Sequence, residues 1–388
     1  MSSPLENTKL FTPLTLGNIT LKHRVVMAPL TRDRSPEHIP DDFVDEYYAQ
    51  RASDGGLLIS EATHISVMGG NYHGVPGIFT PEQKRAWKKT TDAVHKKGGF
   101  IYCQLWHIGR VAHPANMGGR TPLSSSATEI EGNVVYFTPK GPLPGVKAAE
   151  MTFEDIKITI EDYVHAAQTA IDAGFDGVEV HSANGYLLDQ FLCDNINQRT
   201  DKYGGSIENR SRFPLEVTDA VIAAIGADRV GIRFSPFGFY QETKSSDIHG
   251  QYGHVMAECD KRGLAYVHLV EPRSDLMNSD SVKQQQLREL AKAQGKTEEE
   301  MLTIKPFREI LKNTPLITCG SFNAENSLQP LESNTADAIA YGRYFISNPD
   351  LPHRLAKGLE FTPYDRNTFY TTGREGYTDY PTYAEAKL

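Results

Sequence analysis

The chain reads as an α/β protein built as a (β/α)₈ TIM barrel, with an N-terminal hairpin ahead of it and a long excursion after its third strand. Three observations predict this. Eight short, continuously apolar runs occur one at a time, and helical patterns separate them. Such runs suit strands buried on both faces of a parallel sheet. The first run continues into Ala28-Pro29-Leu30-Thr31-Arg32, which lacks the Gly-rich turn that the rival doubly wound sheet prefers there. No linker divides the 388 residues, so 1–388 is expected to form a single barrel domain, a size that such barrels reach.

The hairpin comes first, over Leu14-Thr15-Leu16-Gly17-Asn18-Ile19-Thr20-Leu21, with Gly-Asn at its turn. It is placed to plug the N-terminal mouth of the barrel. The eight strand runs follow: Val25-Val26-Met27-Ala28, Leu57-Leu58-Ile59-Ser60, Phe100-Ile101-Tyr102-Cys103, Gly177-Val178-Glu179-Val180, Val230-Gly231-Ile232-Arg233, Tyr266-Val267-His268-Leu269, Leu316-Ile317-Thr318-Cys319 and Ala338-Ile339-Ala340-Tyr341. Pro81 opens a helix that ends before Gly98-Gly99. Thr152 and Asp155 form a capping box, after which Ile156, Ile160, Tyr163, Val164, Ala167 and Ile171 recur on one helical face. Gly174 stands at the far cap. Between Trp106 and Glu150 the chain is rich in Gly, Pro and Ser and has no helical period. A long loop after the third strand lies over the C-terminal face, where barrel enzymes keep their sites. The polar stretch from Asp275 to Met301 holds an exposed helix, Ser281 to Gln294, and reads as a solvated insertion after strand six.

Composition narrows the function. Lys and Arg total 40 against 49 Asp and Glu, a net charge of −9 with no basic block. That argues against nucleic acid as a partner. No run approaches the ~18 apolar residues of a membrane span, and Met1-Ser2-Ser3-Pro4-Leu5-Glu6 lacks the blocks of a secretory signal. Cys103, Cys193, Cys259 and Cys319 are far apart, which fits free thiols in a reducing compartment. A cytoplasmic location is expected. The alternative is peroxisomal, because Ala386-Lys387-Leu388 resembles the S-K-L address.

In a barrel, chemistry sits on the residues that end the strands. These are Thr31, Gln104, Trp106, His107, His181, Asn184, Tyr186, Arg233, Gly320, Ser321, Gly342 and Arg343. The loops after strands seven and eight often bind a phosphate. Backbone N–H groups of Gly320, Ser321 and Gly342 can face an anion, and Arg343 adds a forked donor. Turn glycines with a surface arginine are the plainer alternative. His181 and Asn184 can aim two donors at one carbonyl oxygen, and Tyr186 can deliver a proton. A satisfied histidine, a cap and a core tyrosine would explain the same residues. No third ligand accompanies His181, so no metal is expected. Arg233 needs a partner at its strand end: a carboxylate such as Glu61 or Glu179, or a bound molecule that becomes anionic.

These residues carry a resemblance. The chain resembles the old yellow enzymes, flavin-dependent ene-reductases related to the plant 12-oxophytodienoate reductases. The likeness runs from Leu10-Phe11-Thr12-Pro13-Leu14 to Asp379-Tyr380-Pro381-Thr382-Tyr383. Its specific parts are Ala28 to Arg32, Gln104-Leu105-Trp106-His107, His181 to Gln190 with Asp194-Asn195, Asp201 to Arg210, and Tyr341-Gly342-Arg343.

The resemblance implies an FMN-binding barrel enzyme that uses NADPH or NADH to reduce the C=C bond of an enone, enal or nitroalkene in a ping-pong cycle. It implies that Thr31 serves the flavin C4 carbonyl side, Gln104 the pyrimidine edge and Arg233 the N1 and O2 region. Gly320, Ser321, Gly342 and Arg343 would serve the phosphate, with Pro29, Leu30, Glu61, Ala62, Phe369 and Tyr370 also at the cofactor. His181 and Asn184 would bind the substrate oxygen, Tyr186 would protonate the alpha carbon, and Trp106, Tyr72 and Tyr240 would line the pocket. A monomer or homodimer is implied, with a small-molecule partner and no membrane. The His and Asn pair follows yeast-type members, whereas many plant and bacterial members carry two histidines. Ser321 and the stretch from Asp275 to Met301 depart from the usual pattern. Two other classes remain in view. A flavin-free lyase would not need Thr31, Gln104 and Arg233 together, and a flavin-binding sensor would not need Tyr186, His181 and Asn184.

Overall fold

The structure is a computed structural model, and it describes residues 3–131, 135–273 and 280–387. Eight parallel strands close on themselves: β1 (Val25–Met27), β2 (Leu57–Ile59), β3 (Phe100–Trp106), β4 (Gly177–Ser182), β5 (Val230–Phe234), β6 (Tyr266–Val270), β7 (Leu316–Cys319) and β8 (Ala338–Tyr341). Each is one of the eight apolar runs. Closure is made by β8 against β1, with Ile339 opposite Val25 and Tyr341 opposite Met27. A closed sheet leaves no edge for another chain to pair with.

The helices that follow the strands are α1 (Asp42–Arg51), α2 (Pro81–His95), α3 (Phe153–Asp172), α4 (Ile207–Ile225), α5 (Ile248–Asp260), α6 (Lys305–Ile310), α7 (Leu328–Glu332) and α8 (Leu351–Lys357). Capping boxes start α2 at Thr80 and α3 at Thr152. Ile156, Tyr163 and Ala167 bury the inner face of α3. Side chains between strands and helices form the main core. A second apolar cluster lies inside the barrel at its N-terminal end, where Val26, Leu57, Tyr102, Tyr266 and Ile317 meet Leu16, Ile19 and Leu21 of the hairpin.

The hairpin pairs Leu14 with Leu21 and Leu16 with Ile19. Gly17 takes φ +53°, and a Cβ there would stand 1.8 Å from the Asp228 carbonyl oxygen. Only glycine suits that turn, and Asn18 N–H donates to the same carbonyl at 3.1 Å. The expected plug is therefore in place.

The excursion after β3 has structure that its composition hid. Its described part includes a hairpin, Val135–Thr138 with Gly141–Pro144, and a short parallel pair, Leu123–Ser124 with Ala149–Glu150. The stretch from 275 to 301 needs correction. Residues 275–279 lie outside the described residues, but the helix Asp280–Ala293 is not simply a solvated insertion. Leu287, Leu290 and Ala291 are buried in the main core. Its apolar residues are sparse yet share one face, and that face docks. None of the described helices is long and apolar enough to cross a membrane.

Candidate active site

Successive side chains of a strand point to opposite faces, so every second residue enters the barrel. Toward the C-terminal end these inward residues turn polar: Gln104 on β3, Glu179 and His181 on β4, Arg233 on β5, His268 on β6 and Cys319 on β7, all buried. Their contacts cross the interior. Gln104 Nε2 donates to Glu179 at 2.7 Å, and His268 Nδ1 lies 2.9 Å from the other Glu179 oxygen. Burial alone would raise the Glu179 carboxyl, but His268, Arg233 and Gln104 hold it below its ordinary value.

Arg233 forms neither of the ion pairs weighed from the sequence. Glu179 is engaged by His268 and Gln104. Glu61 Oε2 accepts the Arg32 backbone N–H at 3.2 Å. The Arg233 guanidinium instead donates to Cys319 Sγ at 3.4 Å, and its buried Nε has no partner among the described residues. Burial would push the Cys319 thiol up, yet Arg233 and His268 bring it down to about 7. A buried cation without a carboxylate partner fits a site for a group that becomes anionic. This is the observation by which the residues present fit FMN.

His181 is neutral, because burial, Arg233 and His268 all push its pKa well below the ordinary value. Its ring stacks on Trp106 at 6.4 Å and meets Tyr186 edge-on at 5.2 Å. Its buried Nδ1 has no hydrogen-bond partner among the described residues. The turn after β4 is fixed through its backbone. Asn184 adopts φ +57° and donates its N–H to Ser235 Oγ at 2.7 Å. Gly185 N–H donates to Asp189, which also accepts from the Tyr252 hydroxyl at 2.6 Å. Gln190 Nε2 donates to the carbonyls of Ile108 and Gly185, tying this turn to the start of the excursion. Tyr186 keeps its proton. Burial raises it well above an ordinary phenol, and Tyr240, Tyr72, Tyr370 and Asp33 add to that. Trp106 stacks on His64 at 4.9 Å, and His64 Nε2 accepts the Tyr72 N–H at 2.8 Å.

Pro29, Leu30 and Thr31 are half-buried where the chain leaves β1, and Glu61 and Ala62 are buried beyond β2. Burial raises the Glu61 carboxyl to about 8. Because β7 and β8 are neighbours, Gly320 (φ +138°) and Ser321 (φ +51°) lie beside Gly342 and Arg343. Ser321 is exposed, and Arg343 begins a short helix, Arg343–Ser347. Phe369 is buried, whereas Tyr370 is 65% exposed. Two arginines fix this C-terminal strap. Arg32 Nε and Arg34 Nη1 both donate to the Phe369 carbonyl, at 3.1 and 2.8 Å.

Of the expected residues, the structure sets His181 against Trp106 and Tyr186 and puts Gly320 and Ser321 on the strand end next to Gly342 and Arg343. The sequence reading missed His268, Cys319, Arg34 and His64 as parts of the site. A polar residue inside the apolar run Tyr266-Val267-His268-Leu269 was the available signal for His268. Nothing local marks Arg34, whose partners in the strap are more than 330 positions away.

The model of the NADH:flavin oxidoreductase / NADH oxidase family matches residues 9–362. Flavin oxidoreductase hxnT of Emericella nidulans is 49% identical over 401 residues, covering 98% of each chain. Among solved structures, morphinone reductase superposes with a TM-score of 0.86 at 42% identity, covering 98% of this chain and 97% of that one. The old yellow enzyme homologue from Zymomonas mobilis gives 0.86 at 38%, covering 96% and 99%.

Proposed function

The chain belongs to the NADH:flavin oxidoreductase / NADH oxidase family, as an FMN-dependent oxidoreductase of the old yellow enzyme type, and on that premise we propose that it reduces the C=C bond of α,β-unsaturated carbonyl or nitro compounds. Bound FMN supplies the two-electron relay between NADPH or NADH and the alkene. Thr31 and Gln104 would hold its ring edge, Arg233 would face the part that gains negative charge, and Gly320, Ser321, Gly342 and Arg343 would hold its phosphate. Pro29, Leu30, Glu61, Ala62, Phe369 and Tyr370 would complete its surroundings.

His181 and Asn184 bind the substrate oxygen. Neutral His181 can donate one hydrogen bond without first losing a proton to bulk water, and the Asn184 amide adds a second. Two donors fixed before the reaction stabilise an oxygen whose charge grows during it. Tyr186 holds a proton that its surroundings do not let it lose, so the proton is available to the substrate alpha carbon. Trp106, Tyr72 and Tyr240 line the pocket. Donor and acceptor would use this one pocket in turn, which predicts ping-pong kinetics.

The observation that carries this reading is the contact of His181 with Trp106 and Tyr186, on the strand next to Arg233, which has no carboxylate partner among the described residues. Substitution tests it. Tyr186→Phe slows the enone half-reaction by about 10²-fold or more, while NADPH oxidation in the first half-reaction stays close to wild type. Equal rates in both half-reactions for the two proteins would remove Tyr186 as proton donor.

A further inference from the structure

Arg233 lacks the partners that satisfy other buried arginines. Arg51 donates to the carbonyls of Tyr47, Phe345, Ile346 and Tyr377, and Arg354 pairs with Asp350. Arg233 has no such carbonyl or carboxylate among the described residues. Its guanidinium reaches the Cys319 sulfur at 3.4 Å, and its buried Nε is left over. The surroundings of that sulfur come from four strands. On β7, Cys319 stands opposite Val270 of β6 and Ala340 of β8, neither of which titrates. Arg233 reaches it from β5. His268 is level with Arg233 on β6, and its Nε2 is buried without a partner among the described residues. Glu179 of β4 engages the other His268 nitrogen. Glu271, just past β6, accepts from the Thr318 hydroxyl at 2.9 Å, on the opposite face of β7 from Cys319.

A buried cation needs an anion, and the Cys319 thiol is the group in contact with Arg233 that can become one. A neighbouring arginine favours the thiolate. Burial pushes the Cys103 and Cys259 thiols up to about 12, whereas at Cys319 Arg233 and His268 overcome it. FMN that has accepted a hydride from NADPH carries one more negative charge than before. Placed at Arg233, that charge takes over as counter-ion, and a second anion beside it is then disfavoured.

We propose that Cys319, as thiolate, is the counter-ion of Arg233 while the flavin is oxidised, and that it takes up a proton when the flavin is reduced. Two electrons and one proton pass from NADPH to FMN, and one further proton passes from water to Cys319 Sγ. Cys319 acts on the cofactor through Arg233 and is a positioning residue. This rests on the reading that Arg233 faces the part of FMN that gains negative charge.

Infrared difference spectra of the holoenzyme at pH 8, dithionite-reduced against oxidised, read the sulfur directly. Wild type should gain an S–H stretching band on reduction, and Cys319→Ser should not. The midpoint potential of bound FMN should fall with pH about twice as steeply in wild type as in Cys319→Ser above about pH 7, because one more proton accompanies the two electrons. Serine keeps an acceptor for Arg233 but does not ionise in this range, so a purely structural role would leave the slope unchanged. Its melting temperature verifies that the variant folds. No gain of the S–H band in wild type, or equal slopes in the two proteins, overturns the proposal. Failure of wild type to bind FMN at all instead removes the reading on which the proposal rests, and the proposal with it.

Discussion

Glu61 links a single proton to stability. Its carboxyl is fully buried, accepts from Arg32 N–H and leaves Oε1 without a described partner. Burial lifts it from 4.5 to about 8. Its folded form therefore keeps a proton that the unfolded chain releases. The contribution to stability is present below about 4.5 and is lost as pH rises through about 8. Glu61→Gln mimics the protonated form at every pH. It should lie close to wild type in denaturant melts at pH 5 and exceed it at pH 9 by about 4 kcal/mol. A gap that does not widen with pH would show that Glu61 is not held protonated. Other residues explain where sequence reading stopped. His181, Asn184, Tyr186 and Arg233 stand out as polar groups ending buried runs. The partner of Arg233 did not stand out, because it depends on which strands face each other across the barrel. Glu179 is two positions before His181 but is bound by His268 from β6, and sequence spacing carries no such register.

The C-terminal strap shows how an element without regular structure is positioned. Arg34 is 1% exposed and donates to the carbonyls of Arg32, Thr368, Phe369, Gly373 and Glu375. Tyr377 stacks on Tyr47 of α1 at 4.0 Å. Without the guanidinium, several buried carbonyls lose their donor. Each such loss is costly, and Arg34→Ala should destabilise the protein by about 3 kcal/mol. The loss is local, so limited proteolysis should cut between residues 366 and 376 faster than in wild type while the barrel survives. Equal cleavage rates would contradict this role. Elements bound by short-range rules were legible in the sequence, including the hairpin at Gly17, the capping box at Thr152 and all eight strands. The helix Asp280–Ala293 was legible as a helix but not as a docked one. Its apolar face is narrow, and its docking depends on the short helix Glu298–Met301 beside it and on Gln294, just past its end, which donates to the Ser245 carbonyl.

At the scale of the molecule, the barrel divides its interior by chemistry. The N-terminal end is apolar and plugged by the hairpin. The C-terminal end concentrates Gln104, Glu179, His181, Arg233, His268 and Cys319 in one buried polar layer. Alternation along each strand makes both ends from the same eight segments, which is why the fold and the location of the site could be read together. The details above that layer, in the excursion and the strap, come from contacts between distant parts of the chain. The central claim is that this layer serves an FMN that accepts reducing equivalents from a nicotinamide and returns them to an activated alkene. One anaerobic absorbance experiment tests it most directly: NADPH is titrated into the purified holoenzyme, and 2-cyclohexenone is then added. The account predicts a flavin band that bleaches with NADPH and returns with the enone. A band that bleaches and stays bleached would contradict the ene-reductase reading, and a protein with no band after FMN is supplied would contradict the site itself.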